Sequence, residues 1–444
     1  MVSSALNIWM NGELVGVWSR TRTGGHRMTY EETWLHSPRR RSLSLSLPIG
    51  PSRENSGAAV SSYFENLLPD NENIRRRLSA RFRIRGTEAF ELLAAIGRDC
   101  VGAVQLLPPD TVPEGHDRVD GVLVNDAEVE RLLHNVTAEP LPGTGEDNEE
   151  FRISIAGAQE KTALLRQHGK WFRPRGATPT THILKLPLGV VGGGLQLDMS
   201  ESAENEWLCA QILRELGFSV ANTEMAVFGA QKVLVVERFD RQWMEERWIA
   251  RLPQEDFCQT LAVPPDKKYE ADGGPGIEEA LKLLSGSASP NADREQFLLA
   301  QLAFWLLAAT DGHAKNFSVF LNAGDSYRLT PLYDVLSAWP IIGQGASSLA
   351  PQKARLAMGL RAKNMHYRLK EIRARHFREL ARHSGVPTVW NKMIELIDNV
   401  PRSLAAVEKR LAPEFPQKLW QRISNGMLSQ AGAFKNEALG GGVI

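Results

Sequence analysis

Asp311, His313, Lys315 and Asn316 place an acid, an imidazole, an ammonium and an amide within six residues, in Thr310-Asp311-Gly312-His313-Ala314-Lys315-Asn316-Phe317-Ser318. Asp, Gly and Asn are common turn residues, so a loop closing a helix accounts for this composition equally well. A second acid favours chemistry. Asp334 ends Leu329-Thr330-Pro331-Leu332-Tyr333-Asp334, 18 residues after Asn316. A short strand pair is expected between them, Ser318–Leu321 and Tyr327–Leu329, joined at Gly324-Asp325. Phosphoryl transfer by kinases needs this set. One carboxylate orients the attacking hydroxyl or accepts its proton, while an amide and a second carboxylate hold the magnesium ions that neutralise the triphosphate. Asp311 and Asn316 have the five-residue separation of a kinase catalytic loop, and Asp334 stands where the magnesium-binding Asp belongs. His313 is placed to contact a phosphate.

The nucleotide-holding residues should lie upstream. Ser154-Ile155-Ala156-Gly157-Ala158-Gln159-Glu160-Lys161 is a small-residue turn between two expected strands. Small side chains let backbone N–H groups approach phosphates, and Lys161 adds charge. The segment fits neither common phosphate-loop pattern, and an ordinary hairpin turn explains it too. Lys185 lies inside an apolar strand, His182-Ile183-Leu184-Lys185-Leu186-Pro187. Such a lysine either snorkels to solvent or meets an anion, here an α- or β-phosphate. Glu204 or Glu206 on the following helix is placed to orient it. Val233–Glu237, followed by Arg238-Phe239-Asp240, is where a hinge would offer backbone groups to adenine, or else a charged edge strand.

These residues must be held by two kinds of structure. The first part of the chain is β-rich: Ala5–Met10 and Glu13–Trp18 flank Asn11-Gly12, a strong hairpin signal. Alternating pattern follows at Met28–Trp34 and Ser42–Leu47, and helices are expected at Asn71–Arg83 and Thr87–Ile96, the latter capped by Thr87. Val101–Leu107 is extended. A Pro/Gly/acid-rich boundary at Leu141–Glu150 precedes strands Phe151–Ile155, Thr162–Arg166, His182–Leu186, Glu224–Phe228 and Lys232–Arg238, with helix Glu201–Leu216 stopped by Gly217. Beyond Pro253 helices dominate: Glu278–Leu284, Arg294–Thr310, Phe377–His383, Val389–Asp398 and Arg402–Leu411. The outline is an α+β, two-lobed protein with a β-rich N-terminal half and an all-α C-terminal lobe. Its expected parts are an N-terminal subdomain over 1–110, a nucleotide lobe over 111–254 and a helical lobe over 255–444.

Composition narrows the class. The 444 residues are 43% hydrophobic and 23% charged, ordinary for a globular protein. With 52 basic and 52 acidic residues the net charge is zero, so any nucleic-acid surface must be local. The three cysteines lie far apart and form no Cys-x-x-Cys pair, which argues against structural zinc and for a reduced, cytoplasmic setting. No apolar run is long enough for a membrane span.

Taken in order, Ser154–Thr162, Thr181–Pro187, Val236–Asp240, Arg251–Asp256, Thr310–Ser318 and Tyr333-Asp334 resemble the signatures of the HipA family, serine/threonine kinases that act as toxins of bacterial toxin–antitoxin pairs. The Asn11-Gly12 hairpin, Tyr63–Pro69 and Asp99–Ala103 resemble that family's N-terminal subdomain. The resemblance implies a protein-kinase-like fold and a non-specific serine/threonine protein kinase using ATP and Mg2+. By it, Ala156, Gly157, Ala158, Gln159, Glu160 and Lys161 bind phosphates, Lys185 contacts ATP, and Glu237, Arg238 and Phe239 form the adenine hinge. It makes Asp311 the catalytic acid/base, gives His313, Ala314, Lys315 and Asn316 to ATP and metal, and makes Tyr333-Asp334 the second metal corner. It further implies inactivating autophosphorylation at Ser154, a helix-turn-helix antitoxin that binds operator DNA, and a target in translation, with glutamyl-tRNA synthetase as the family precedent, whose modification induces dormancy and persistence.

One local charge feature bears on partners. Between Arg361 and His383, eight Lys/Arg face two Glu, leaving +6. Charge runs usually form a solvated face. The alternative is auxiliary contact with the DNA backbone, with Arg378 and Arg382 as candidates. The rival readings of the whole chain are a small-molecule kinase, since Asp-x-His-x-x-Asn is also a lipid-kinase spacing, and a repressor subunit with a vestigial nucleotide site.

Overall fold

The computed structural model of the protein describes residues 5–137 and 159–440. Its backbone packs into two compact units: Met1–Leu186, Ala226–Lys267 and Ser318–Tyr327 make the first, and Pro187–Met225, Lys268–Phe317 and Arg328–Ile444 the second.

In the first unit, Ala5–Met10 and Glu13–Arg20 pair around Asn11 (φ 46°) and Gly12 (φ 84°), a two-residue turn with both φ values positive, as the twist of a tight hairpin requires. The period of two buries Leu6, Ile8 and Met10 on one face. Five strands form this sheet in the order Glu54–Ser56, His26–Tyr30, Glu13–Arg20, Ala5–Met10, Val104–Leu107. Its core is aromatic, with Trp18 stacked on Phe64 at 3.8 Å and edge-on to Phe90 at 4.7 Å. Three local expectations need correction. The strand at Met28 ends at Tyr30, and Glu32–Leu35 is a helical turn. Ser42–Leu47 is a turn closed by a Ser44–Leu47 bridge, because Leu43 and Leu47 enter the core while Ser46 Oγ donates to the Gln259 carbonyl at 2.7 Å. Thr87 does not cap helix Ala89–Ile96; its hydroxyl donates to Glu72 instead.

A second sheet runs Thr223–Phe228, Gln231–Glu237, His182–Lys185, Lys161–Gln167, Lys170–Pro174, Gly121–Val124, the last five strands antiparallel. Ser318–Leu321 pairs separately with Gln254–Asp256. The N-terminal module is tied to these segments by polar contacts. The Asn11 side chain both donates to the Arg251 carbonyl and accepts from the Arg251 N–H, each at 2.8 Å. Arg41 donates to the Leu321 carbonyl at 3.0 Å, and Asp325 accepts from Ser42 N at 2.6 Å. Glu255 is fully buried. Its Oε1 accepts from Leu45 N at 2.9 Å, and Oε2 has no hydrogen-bond partner among the described residues. Burial pushes this carboxyl up to about 8, so it is largely protonated at neutral pH.

The second unit is built on helices Ser202–Glu215, Pro290–Leu307, Val389–Glu408 and Gln417–Gly440, which pack on one another. Pro290–Leu307 is buried along nearly its whole apolar length, and Trp305 and Phe434 both lie against Phe377. The sequence suggests a break near Pro401, yet Val389–Glu408 is one helix. Met393, Leu396, Ile397, Val400, Leu404 and Val407 form one continuous buried stripe, and that packing outweighs the hydrogen bond that proline removes. Two hairpins, Gly189–Val191 with Leu197–Met199 and Arg355–Arg361 with Met365–Arg368, complete the unit.

Candidate active site

Helix Pro290–Leu307 stops at Ala308, whose φ of 50° turns the chain away from the helix axis. Gly312 then passes so close to Phe304 that a Cβ there would sit 2.4 Å from the ring. Only glycine allows this approach. His313 N donates to the Asp311 carbonyl at 2.8 Å and Asn316 N to the His313 carbonyl at 2.9 Å, which winds 311–316 into a tight polar loop. His313 N also lies 3.3 Å from Asn316 Oδ1. Within this loop Ala314, Lys315 and Asn316 are buried, whereas the Asp311 side chain is 64% exposed. His313 is buried with its Nε2 3.9 Å from Asp311 Oδ1, and its Nδ1 has no hydrogen-bond partner among the described residues. Burial, helped by Lys268 and Lys315 against the pull of Asp311 and Asp334, lowers the imidazole to about 4. It is neutral at physiological pH.

The second corner is held independently. Leu332 N donates to the Ser219 carbonyl and Ala221 N to the Leu332 carbonyl, each at 2.9 Å. Asn205 grips Ser337 through both its backbone groups, and the Ser337 hydroxyl donates to the Leu307 carbonyl at 2.6 Å. Between these anchors Asp334 takes φ 60°, a left-handed conformation that Asp tolerates better than most residues and that is often found at functional sites. The result brings Asn316 Nδ2 to 3.4 Å from Asp334 Oδ2, with Tyr333 OH donating to the Lys315 carbonyl at 2.8 Å. Asp311, His313, Lys315, Asn316, Tyr333 and Asp334 are therefore brought together. Sequence reasoning missed Tyr269, whose hydroxyl donates to Asp311 Oδ1. Its only signal was the polar run ending in Asp272-Gly273-Gly274.

The upstream residues lie in the first unit. Ser154, Ala156, Gly157 and Ala158 fall outside the described residues. Gln159 Nε2 donates to the Leu186 carbonyl at 2.6 Å, and Glu160 is ion-paired with Arg77. Lys161 is the register partner of Lys185, and Lys185 is buried. Glu237 is exposed at the end of its strand, and Phe239 meets Phe320 edge-on at 5.8 Å. The Arg238 side chain is buried in a charge network. It reaches Asp240 at 2.8 Å and Asp99 at 3.3 Å, with Arg241 at 3.0 Å and Arg251 at 3.1 Å from Asp99. Thr180 Oγ1 donates to Asp99 at 2.7 Å. Burial alone would raise the Asp99 carboxyl, but Arg241, Arg238 and Arg251 together hold it well below the usual range. The alternation Arg238-Phe239-Asp240-Arg241 was the available sign of this network. In the basic segment, Arg378 lies over Trp390 and Arg382 is held by Glu379 at 2.7 Å, while Arg361, Arg368 and Arg373 pair with Glu278, Glu371 and Glu437.

Residues 153–407 match the HipA-like C-terminal domain, and residues 6–107 match the HipA N-terminal domain. The chain belongs to the HipA family. A relative from Sinorhizobium fredii, "Putative kinase Y4mE", is 32% identical over 92% of each chain. The "Serine/threonine-protein kinase toxin HipA" of Shewanella oneidensis is 29% identical over 66% of each. The Shewanella oneidensis HipA structure, solved with HipB and operator DNA, superposes with a TM-score of 0.78 over 97% of each chain at 23% identity, so the HipA fold is shared. Among the described residues no helix is long and apolar enough to cross a membrane.

Proposed function

We propose that this HipA-family chain is the serine/threonine kinase toxin of a toxin–antitoxin pair, transferring the γ-phosphate of ATP to a protein hydroxyl. The observation that carries this reading is the loop geometry: an exposed Asp311 carboxylate five residues before an Asn316 amide that lies 3.4 Å from Asp334. Asp311 takes the hydroxyl's proton as the oxygen attacks phosphorus. Asn316 and Asp334 offer oxygen donors suited to Mg2+, an ion that takes one or two carboxylates and completes its shell with phosphates and water. When bound, Mg2+ neutralises charge on the phosphates being parted. Lys185 and Lys161, opposite each other in neighbouring strands, put two like charges side by side, an arrangement that an anion stabilises. We assign them, with 156–160, to the phosphates.

The hinge assignment narrows to Glu237 and Phe239. Arg238 has its guanidinium in the network, its N–H on the Thr181 carbonyl and its carbonyl on Arg241 N. By family resemblance the reading extends to a helix-turn-helix antitoxin, operator DNA, a cytoplasmic site of action, autophosphorylation at Ser154, and glutamyl-tRNA synthetase as target, with growth arrest and persistence as outcome. The test is transfer of labelled γ-phosphate from ATP and Mg2+ in bacterial lysate and to purified glutamyl-tRNA synthetase. Labelled protein that disappears with Asp311→Asn is expected. Label confined to small molecules would make the chain a metabolite kinase, and no turnover would make it a non-catalytic subunit.

A further inference from the structure

We propose that the Tyr269 hydroxyl stands in for the acceptor hydroxyl at the catalytic carboxylate and must be displaced before a serine or threonine is phosphorylated. This rests on reading Asp311 as the catalytic acid/base. The phenol donates to Asp311 Oδ1 at 2.5 Å. A hydroxyl donating to that carboxylate is the arrangement a phosphoryl acceptor adopts before its proton is taken.

Stability does not call for the bond. The Asp311 side chain is 64% exposed, so water solvates the charge and a surface contact of this kind adds little to folding. Nor does the bond hold Tyr269 in place. The Tyr269 carbonyl accepts from Asp272 N at 3.0 Å and Gly274 N at 2.9 Å, and its ring meets His313 edge-on at 4.9 Å. Next to it, Glu270 accepts from Gly359 N at 2.6 Å. A ring fixed by backbone and packing therefore presents its hydroxyl to a carboxylate that has no structural need of it. An incoming serine must break that bond, and the cost falls on acceptor binding, not on ATP.

Tyr269→Phe keeps the ring and removes the hydroxyl. With dephosphorylated casein as acceptor and the full-length chain, the KM for casein should fall about threefold, the order expected for losing one solvent-exposed competing contact to a charged group. The gain should appear in KM rather than kcat, with ATP affinity by calorimetry as in the wild type. An unchanged KM, a fall in kcat at constant KM, or phosphate found on Tyr269 would overturn the proposal. Tyr269→Leu guards against a folding artefact of one variant and should lower KM likewise. Asp311→Asn separates the two claims. If it stays active, the catalytic reading fails; if it is dead while Tyr269→Phe is unaltered, only the stand-in role fails.

Discussion

The Asp99 network in the first unit and the cluster of Asp311–Asn316 with Tyr333-Asp334 in the second are both dense in charge, and they are built on opposite rules. Around Asp99 the charged side chains are almost wholly buried, and each meets several partners of opposite sign or carbonyl oxygens. Around Asp311 the carboxylate is exposed, a buried imidazole nitrogen has no hydrogen-bond partner among the described residues, and Asp334 sits in a left-handed backbone conformation. Burying unpaired charge is costly, so a saturated network is what structure requires. A cluster left under-satisfied has capacity for a substrate, an ion or a proton. The two clusters thus differ less in charge density than in the exposure of Asp311 and in the imidazole nitrogen of His313.

The largest test of that contrast is on the loop. Asp334→Asn should lower phosphoryl transfer by about a thousandfold or more, the scale of losing a main electrostatic contact to the transition state, with the melting temperature unmoved. A stable variant at wild-type rate would break the comparison on its functional side.

Asp99→Asn should do the reverse, destabilising the first unit by about 3–5 kcal/mol in denaturant unfolding, because three buried arginines lose an anion. Since the folded Asp99 carboxyl lies below its unfolded value, its contribution is present above about pH 4 and is lost as pH falls further. Wild-type stability should therefore drop on acidification, and Asp99→Asn should show a shallower drop over the same range.

Glu255 sharpens the comparison as a buried acid with no ion pair among the described residues. Its folded carboxyl titrates near 8, above the ordinary 4.5, so the folded state binds the extra proton between those values. Stability should fall as pH rises through that window, by up to about 1.4 kcal/mol per pH unit. Glu255→Gln should flatten the slope and gain most above pH 8 in unfolding measured across pH.

The smallest effect is expected from the basic segment. Arg382→Ala should barely alter the salt dependence of operator binding by the proposed complex with antitoxin, because Glu379 already holds that guanidinium. Arg378→Ala should lower the slope by about one if it meets a phosphate. Unchanged slopes for both would leave the segment a solvated face.

Much of the architecture was legible because periodicity and turn chemistry are local. The Asn11-Gly12 hairpin, the strand with Lys185 and the pair flanking Gly324 all appear where residue pattern places them. The loop residues were legible because Asp311, Asn316 and Asp334 come close in sequence as well as in space. What escaped depended on distant partners. Tyr269 meets Asp311 across 42 residues, and Asp99 meets Arg251 across 152. Pro401 misled for the same reason, since the stripe that carries the helix through it is a property of its packing.

The Asn11–Arg251 clasp and the pairing of Asp99 with Arg238, Arg241 and Arg251 also bear on inheritance. The N-terminal domain ends at residue 107 as a stretch of sequence, yet its counter-charges are encoded more than a hundred residues later. The two stretches are therefore a poor unit of recombination. A chimera that grafts residues 6–107 from a relative without an acid at position 99 would leave the buried Arg251 without a carboxylate and Arg238 and Arg241 sharing Asp240 alone; it should be recovered as insoluble protein, and restoring that single acid should rescue it.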